Sequence, residues 1–202
     1  MATREPVTFG EKDFVHLHLH TDYSLLQSTI QLKPLAGRLN ELEQRACAIT
    51  DYGNMYGAVA FYNALSYAGI RPIIGYEANF LFESCLEKSS SVRAGELPYY
   101  NIILLARNYK GYQNLVSLAS KAFTVGLYHK PRIDLELLAS HSEGLIGLSG
   151  GLMGPIGHFL ASGNEDRALE NAKLLEDTLG KGSFFLEISE GYDETRTQLV
   201  PS

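Results

Sequence analysis

The chain has 202 residues, 45% hydrophobic and 20% charged, with 19 Gly and 7 Pro; that is enough apolar material for one sizeable core and no compositional reason for disorder. Its 17 Lys and Arg against 23 Asp and Glu leave a net charge of -6, which argues against a surface that grips a phosphate backbone by bulk electrostatics. Cys47 and Cys85 form no C-x-x-C pair, the N-terminus lacks a signal-peptide core, and no apolar run approaches the ~18 residues of a membrane span, so the expectation is one domain over 1–202, cytoplasmic and without membrane contact.

The first element is a strand at Phe14 to His20, where Val15, Leu17 and Leu19 alternate with His16, His18 and His20 and a period of two puts all three imidazoles on one face. Leu32, Leu35, Leu39 and Leu42 follow at helical spacing. Ala46 to Thr50 reads as a short buried strand, Met55 to Tyr67 as a helix with Gly69 just past its end, and Ile70 to Glu77 as the next strand. Strand, helix, strand, helix, strand predicts parallel strands with helical crossovers. Residues 83–98 read as an exposed loop.

Tyr99 to Ala106 resumes as a strand, and Asn108 caps a helix over Tyr109 to Phe123. Asp134 caps a short helical turn through Leu138, Gly144 to Ser149 is a strand closed by Gly150 and Gly151, Asn164 starts a helix ended by Gly180 and Gly182, and Ser183 to Ile188 is a further strand. The tail from Ser189 to Ser202 is polar and offers no convincing element.

His18-x-His20, followed by Thr21 and Asp22, is the sharpest chemical feature, because two imidazoles on one face can bind a divalent metal while carboxylates from other strand ends complete the site. Asp51 and Glu77, each ending a strand, are the candidate carboxylates; Asp51 is weighed more as an acceptor from a turn, Glu77 evenly. Glu187 and Glu190 read as solvent-exposed, and His129, His141 and His158 as surface or capping residues. No P-loop and no G-x-S-x-G elbow is present.

Taken together, FVHLHLHTDYSLL at Phe14 to Leu26, AITDYGNMYGAVAFYNAL at Ala48 to Leu65, AGIRPIIGYEA at Ala68 to Ala78, NIILLARNYKGYQNL at Asn101 to Leu115, YHKPRID at Tyr128 to Asp134 and HSEGLIGLSG at His141 to Gly150 resemble one known domain. It is the polymerase and histidinol phosphatase (PHP) domain, in the branch that begins the alpha subunit of bacterial replicative DNA polymerase III, and the resemblance runs from about Phe14 to Ile188.

The resemblance implies an α/β fold, a distorted seven-stranded (βα) barrel like a TIM barrel, incomplete at the C-terminal end of this chain, with up to three metal ions at the mouth in intact members. Its motifs map onto His18, His20 and Glu77. They depart at Gln27 where the family often has aspartate, at Tyr52 and Asn101 where it has histidine, and at Gly151 where it has cysteine; a last aspartate and histidine would lie past Ser202. Three ligands can hold at most one incomplete ion, so a vestigial site with weak Zn or Mn and no cofactor at full occupancy is expected. Asp22 and Asp51 line it.

The expected role is structural support and docking within a polymerase subunit. That parent would carry DNA-directed DNA polymerase activity with Mg, hold DNA through other domains and engage a proofreading exonuclease subunit as a partner. A metal-dependent phosphoesterase or 3'-5' exonuclease, and a truncated non-catalytic protein-binding paralogue, are the alternatives.

Overall fold

A computed structural model describes residue 10 and residues 14–88 and 97–188. In chain order the elements are α1 (Leu32–Glu41), β1 (Ala46–Ile49), α2 (Ala58–Tyr67), β2 (Arg71–Leu81), β3 (Tyr100–Ala106), α3 (Tyr109–Thr124), β4 (Arg132–Asp134), α4 (Leu135–Ser140), β5 (Leu145–Leu148), α5 (Gly157–Ala161), α6 (Glu165–Leu179) and β6 (Phe184–Phe185). Among the described residues the six strands form an open mixed sheet in the order β1-β2-β3-β5-β6, with β4 paired to β2.

The parallel sense expected for the first three segments holds, but it does not extend to every strand of the sheet. β1 and β4 run parallel to β2, and β6 parallel to β5, but β3 is antiparallel to both β2 and β5. The reason lies in the connection, since a parallel neighbour needs a crossover and no helix is described between β2 and β3. Phe14 to His20 is also less regular than a strand. It touches β1 through a single parallel bridge, His16 to Cys47, and through the Ala48 N–H on the His16 carbonyl at 2.8 Å and the Thr50 N–H on the Leu19 carbonyl at 2.9 Å. The last strand shrinks to Phe184–Phe185, and α2 starts at Ala58 because 56–57 is a turn. The tail Ser189 to Ser202 lies outside the described residues.

Strand alternation sorts the side chains. On β2, Tyr76, Ala78 and Phe80 face the main core with Ile102 and Leu104 of β3, Leu115 and Leu118 of α3 and Leu175 of α6. The opposite row, Gly75, Glu77 and Asn79, therefore faces inward, beside Ile103, Leu105 and Leu148. A second core under α1 and α2 joins Leu39, Ile49, Phe61, Leu65 and Ile70. Burial of this kind contributes roughly 1.5–3 kcal/mol per large side chain.

Between β6 and the first segment the sheet stays open among the described residues. An apolar groove of about 810 Å³ there is lined by Phe14, Leu17, Ile73, Leu105, Leu148 and Phe185. The open sheet and this groove agree with a distorted, incomplete barrel.

Candidate functional site

Glu77 is 3% exposed, so its charge must be met locally, and it is. Its Oε1 accepts from the Asn101 amide Nδ2 at 2.6 Å, while Oε2 takes His18 Nε2 at 3.3 Å and a close hydrogen bond from His20 Nε2. β2 and β3 place Glu77 and Asn101 together because both project from the inward row. The two imidazoles stand edge to face, 5.3 Å between centroids. His16 instead packs edge-on against Phe14, so the structure joins two of the three histidines of the first segment.

His18 carries a further partner that the sequence reading placed in solvent. Its Nδ1 lies 2.7 Å from Glu187 Oε1, and the Glu187 side chain is only 16% exposed. Phe184 packs outward with the helices, so alternation along 184–187 turns Glu187 inward. The available signal was position, just past a strand that runs parallel to β5, where ligand-bearing residues of α/β folds collect.

These neighbours set the ionisation. Burial alone would lower the His18 pKa, but hydrogen bonds to Glu187 and then Glu77, with their charges, outweigh it and raise it to about 9. Burial alone would raise Glu77, but hydrogen bonds from His18 and His20 and their charges lower it to about 2. At neutral pH the His18 imidazolium is hydrogen-bonded on one side to Glu187 and on the other to the Glu77 carboxylate.

Asp51 sits beside this cluster in the fold yet is spent on Thr21 and Ser24. Its carboxylate accepts from the Thr21 N–H at 2.6 Å, the Thr21 hydroxyl at 2.8 Å and the Ser24 hydroxyl at 2.7 Å, which ties the turn after His20 to the end of β1. Tyr52 pairs by a parallel bridge with Glu77, and its phenol donates to the Tyr99 oxygen at 3.5 Å. Burial first, and then Tyr99, keep that phenol protonated far above neutral pH. Asp22 and Gln27 are exposed, and Gly151 opens a short 3-10 turn with clear space where a side chain would start.

Gly150 supports the Asn101 side of the site. It has φ +73, and a Cβ there would run into the Asn101 carbonyl. Gly150→Ala should destabilise the protein by more than about 2 kcal/mol, read as a fall in denaturation midpoint; an unchanged midpoint would contradict the close approach.

Among the described residues, His18, His20 and Glu77 form the group able to hold a metal, with ligand atoms all within 4.8 Å of one another. Two imidazoles and a carboxylate suit one borderline cation such as Zn²⁺, and among the described residues Glu187 Oε2 and Asn101 Oδ1 are buried without hydrogen-bond partners. A second ion is poorly served. On Glu77 Oε1, where it would need a bridging oxygen, sits the Asn101 amide N–H.

A family model for the PHP domain matches residues 16–191. DNA polymerase III subunit alpha of Treponema pallidum is 42% identical over 184 residues, covering 91% of this chain and 16% of its own length. The same subunit of Thermus aquaticus is 44% identical over 178 residues, covering 87% and 14%, and that of Deinococcus radiodurans is 41% identical over 185 residues, covering 89% and 14%. The chain thus spans only 14–16% of the length of these relatives.

Proposed function

The chain belongs to the PHP domain family, and from that membership we propose that it is the N-terminal PHP domain of a DNA polymerase III alpha subunit, a single domain over 1–202 with a structural and docking role and a degenerate metal site. The observation that carries this reading is the Asn101 amide on Glu77 Oε1 at 2.6 Å, since an N–H donor occupies the oxygen that a multinuclear centre would bridge. His18, His20 and Glu77 would hold at most one divalent ion, which when bound supplies Lewis acidity. The residues themselves do something else. They pair with one another and pin the first segment to β2 and to the residues after β6.

DNA-templated synthesis, with Mg²⁺, belongs on this reading to the remainder of a longer polypeptide that the PHP domain braces. The net charge of -6 supports DNA being held by other domains, and a proofreading exonuclease subunit is the docking partner. No helix among the described residues is long and apolar enough to cross a membrane, which suits a cytoplasmic replication complex.

A second reading, a PHP phosphoesterase or 3'-5' exonuclease, is favoured by the convergence of three ligand atoms within 4.8 Å. Assays on a 3'-mismatched primer and on a phosphate monoester, with Zn²⁺ and with Mn²⁺, separate the two. The expected result is no turnover above that of His18→Ala or Glu77→Ala. Turnover abolished by either substitution would replace the docking reading with the catalytic one.

A further inference from the structure

Glu187 is joined to the site by a bond between opposite ends of the chain. Its Oε1 lies 2.7 Å from His18 Nδ1, while Nε2 of the same ring faces Glu77 Oε2 at 3.3 Å. Its own backbone N–H donates to the Ser149 hydroxyl at 2.8 Å, and the Ser149 N–H returns to the Phe185 carbonyl at 3.1 Å, so buried Ser149, just past β5, fixes where the carboxylate stands. Among the described residues the second carboxylate oxygen is buried with no hydrogen-bond partner, as is the Oδ1 of Asn101, whose amide Nδ2 donates to Glu77. Two imidazoles and a carboxylate whose ligand atoms all lie within 4.8 Å of one another offer one cation a place at the Nε2 edge of His18, across the ring from Glu187.

We propose that Glu187 is the positioning residue of a single-cation site at His18, His20 and Glu77. It takes the Nδ1–H of His18 and so aims the Nε2 lone pair at the ion, the arrangement in which a carboxylate orients a metal-binding histidine. Ser149 holds Glu187 in register for that bond. The inference rests on the single-ion part of the proposed function and adds a residue to it.

The test is Zn²⁺ affinity, measured by competition with a chromophoric chelator, together with nitrogen NMR of the His18 ring in the Zn²⁺-loaded, ¹⁵N-labelled protein. Glu187→Ala should weaken Zn²⁺ binding about 10–100-fold and lose the slowly exchanging Nδ1 proton of His18. Glu187→Gln, whose carbonyl still accepts, should keep that proton and recover much of the affinity, which a merely structural role would not predict. Should Glu187→Ala fail to fold, Ser149→Ala carries the same test and should speed exchange of the Nδ1 proton.

Affinity within about twofold of the unsubstituted protein with the ring signals unchanged, or no Zn²⁺ uptake by the unsubstituted protein at millimolar concentration, would overturn the assignment. Two bound ions with turnover would defeat the docking reading instead, and would leave this one standing as long as Glu187→Ala still weakened the ion at His18.

Discussion

Asp51→Ala should lower stability by about 3 kcal/mol, because it removes one buried carboxylate and strands three donors at once. The Thr21 N–H, the Thr21 hydroxyl and the Ser24 hydroxyl all end on that side chain, and Asp51, Thr21 and Ser24 are each at most 1% exposed. Ser24 Oγ also accepts from the Tyr52 N–H at 3.0 Å, so the loss reaches the backbone beside Glu77. For a domain of this size the fall in Tm should be roughly 6–12 °C. Asp51→Asn keeps the shape and one acceptor oxygen and should cost about half as much. Equal, small shifts for both variants would mean that the turn after His20 is held by something other than Asp51.

The second large effect is in the pH dependence of stability. His18 has its pKa raised from 6.5 to about 9, so its contribution is fully present below pH 6.5 and is lost as pH rises through about 9. Glu77 is lowered from 4.5 to about 2, so its contribution is present above pH 4.5 and is lost as pH falls toward 2. A plateau between pH 4.5 and 6.5 with a fall on either side is the consequence. The two shifts describe one set of ion pairs and count once, on the order of 3 kcal/mol before solvent screening of the partly exposed imidazole.

Denaturant unfolding in chelator-treated buffer, for the unsubstituted protein and for His18→Gln, isolates this term by difference. The difference should be largest in the plateau and should close toward pH 10. A difference that stays constant from pH 6 to 10 would show that His18 is not charged against Glu187 and Glu77.

Much of the fold is legible in local signals. β3 and α3 fall within a residue or so of their expected bounds because a dense run, Ile102 to Leu105, is followed by an N-cap, Asn108, whose side chain accepts from the Gly111 N–H at 2.9 Å. Asp134 and Asn164 cap their helices in the same way, accepting from Leu137 and Arg167. What local signals do not carry is pairing. The three residues of β4 have too little length to read as a strand, and they become one by lying parallel to Asn79, Phe80 and Leu81. The sense of β3 was readable in principle, since the segment before it offered a loop and no crossover helix.

The site divides along the same line. His18 and His20 share a face by period two, whereas Glu77, expected at the end of its strand, reaches them from inside β2, which continues to Leu81. Glu187 escaped because its significance comes from a bond between opposite ends of the chain, and its own strand is two residues long.

Among the described residues the site retains the ligands for one cation and lacks those for a cluster. Elemental analysis after exposure to excess Zn²⁺ and Mn²⁺ and removal of loosely bound metal tests it most directly. One ion per chain or less is predicted, falling to background in Glu77→Ala; two or more ions per chain, lost together in His18→Ala, would contradict the account.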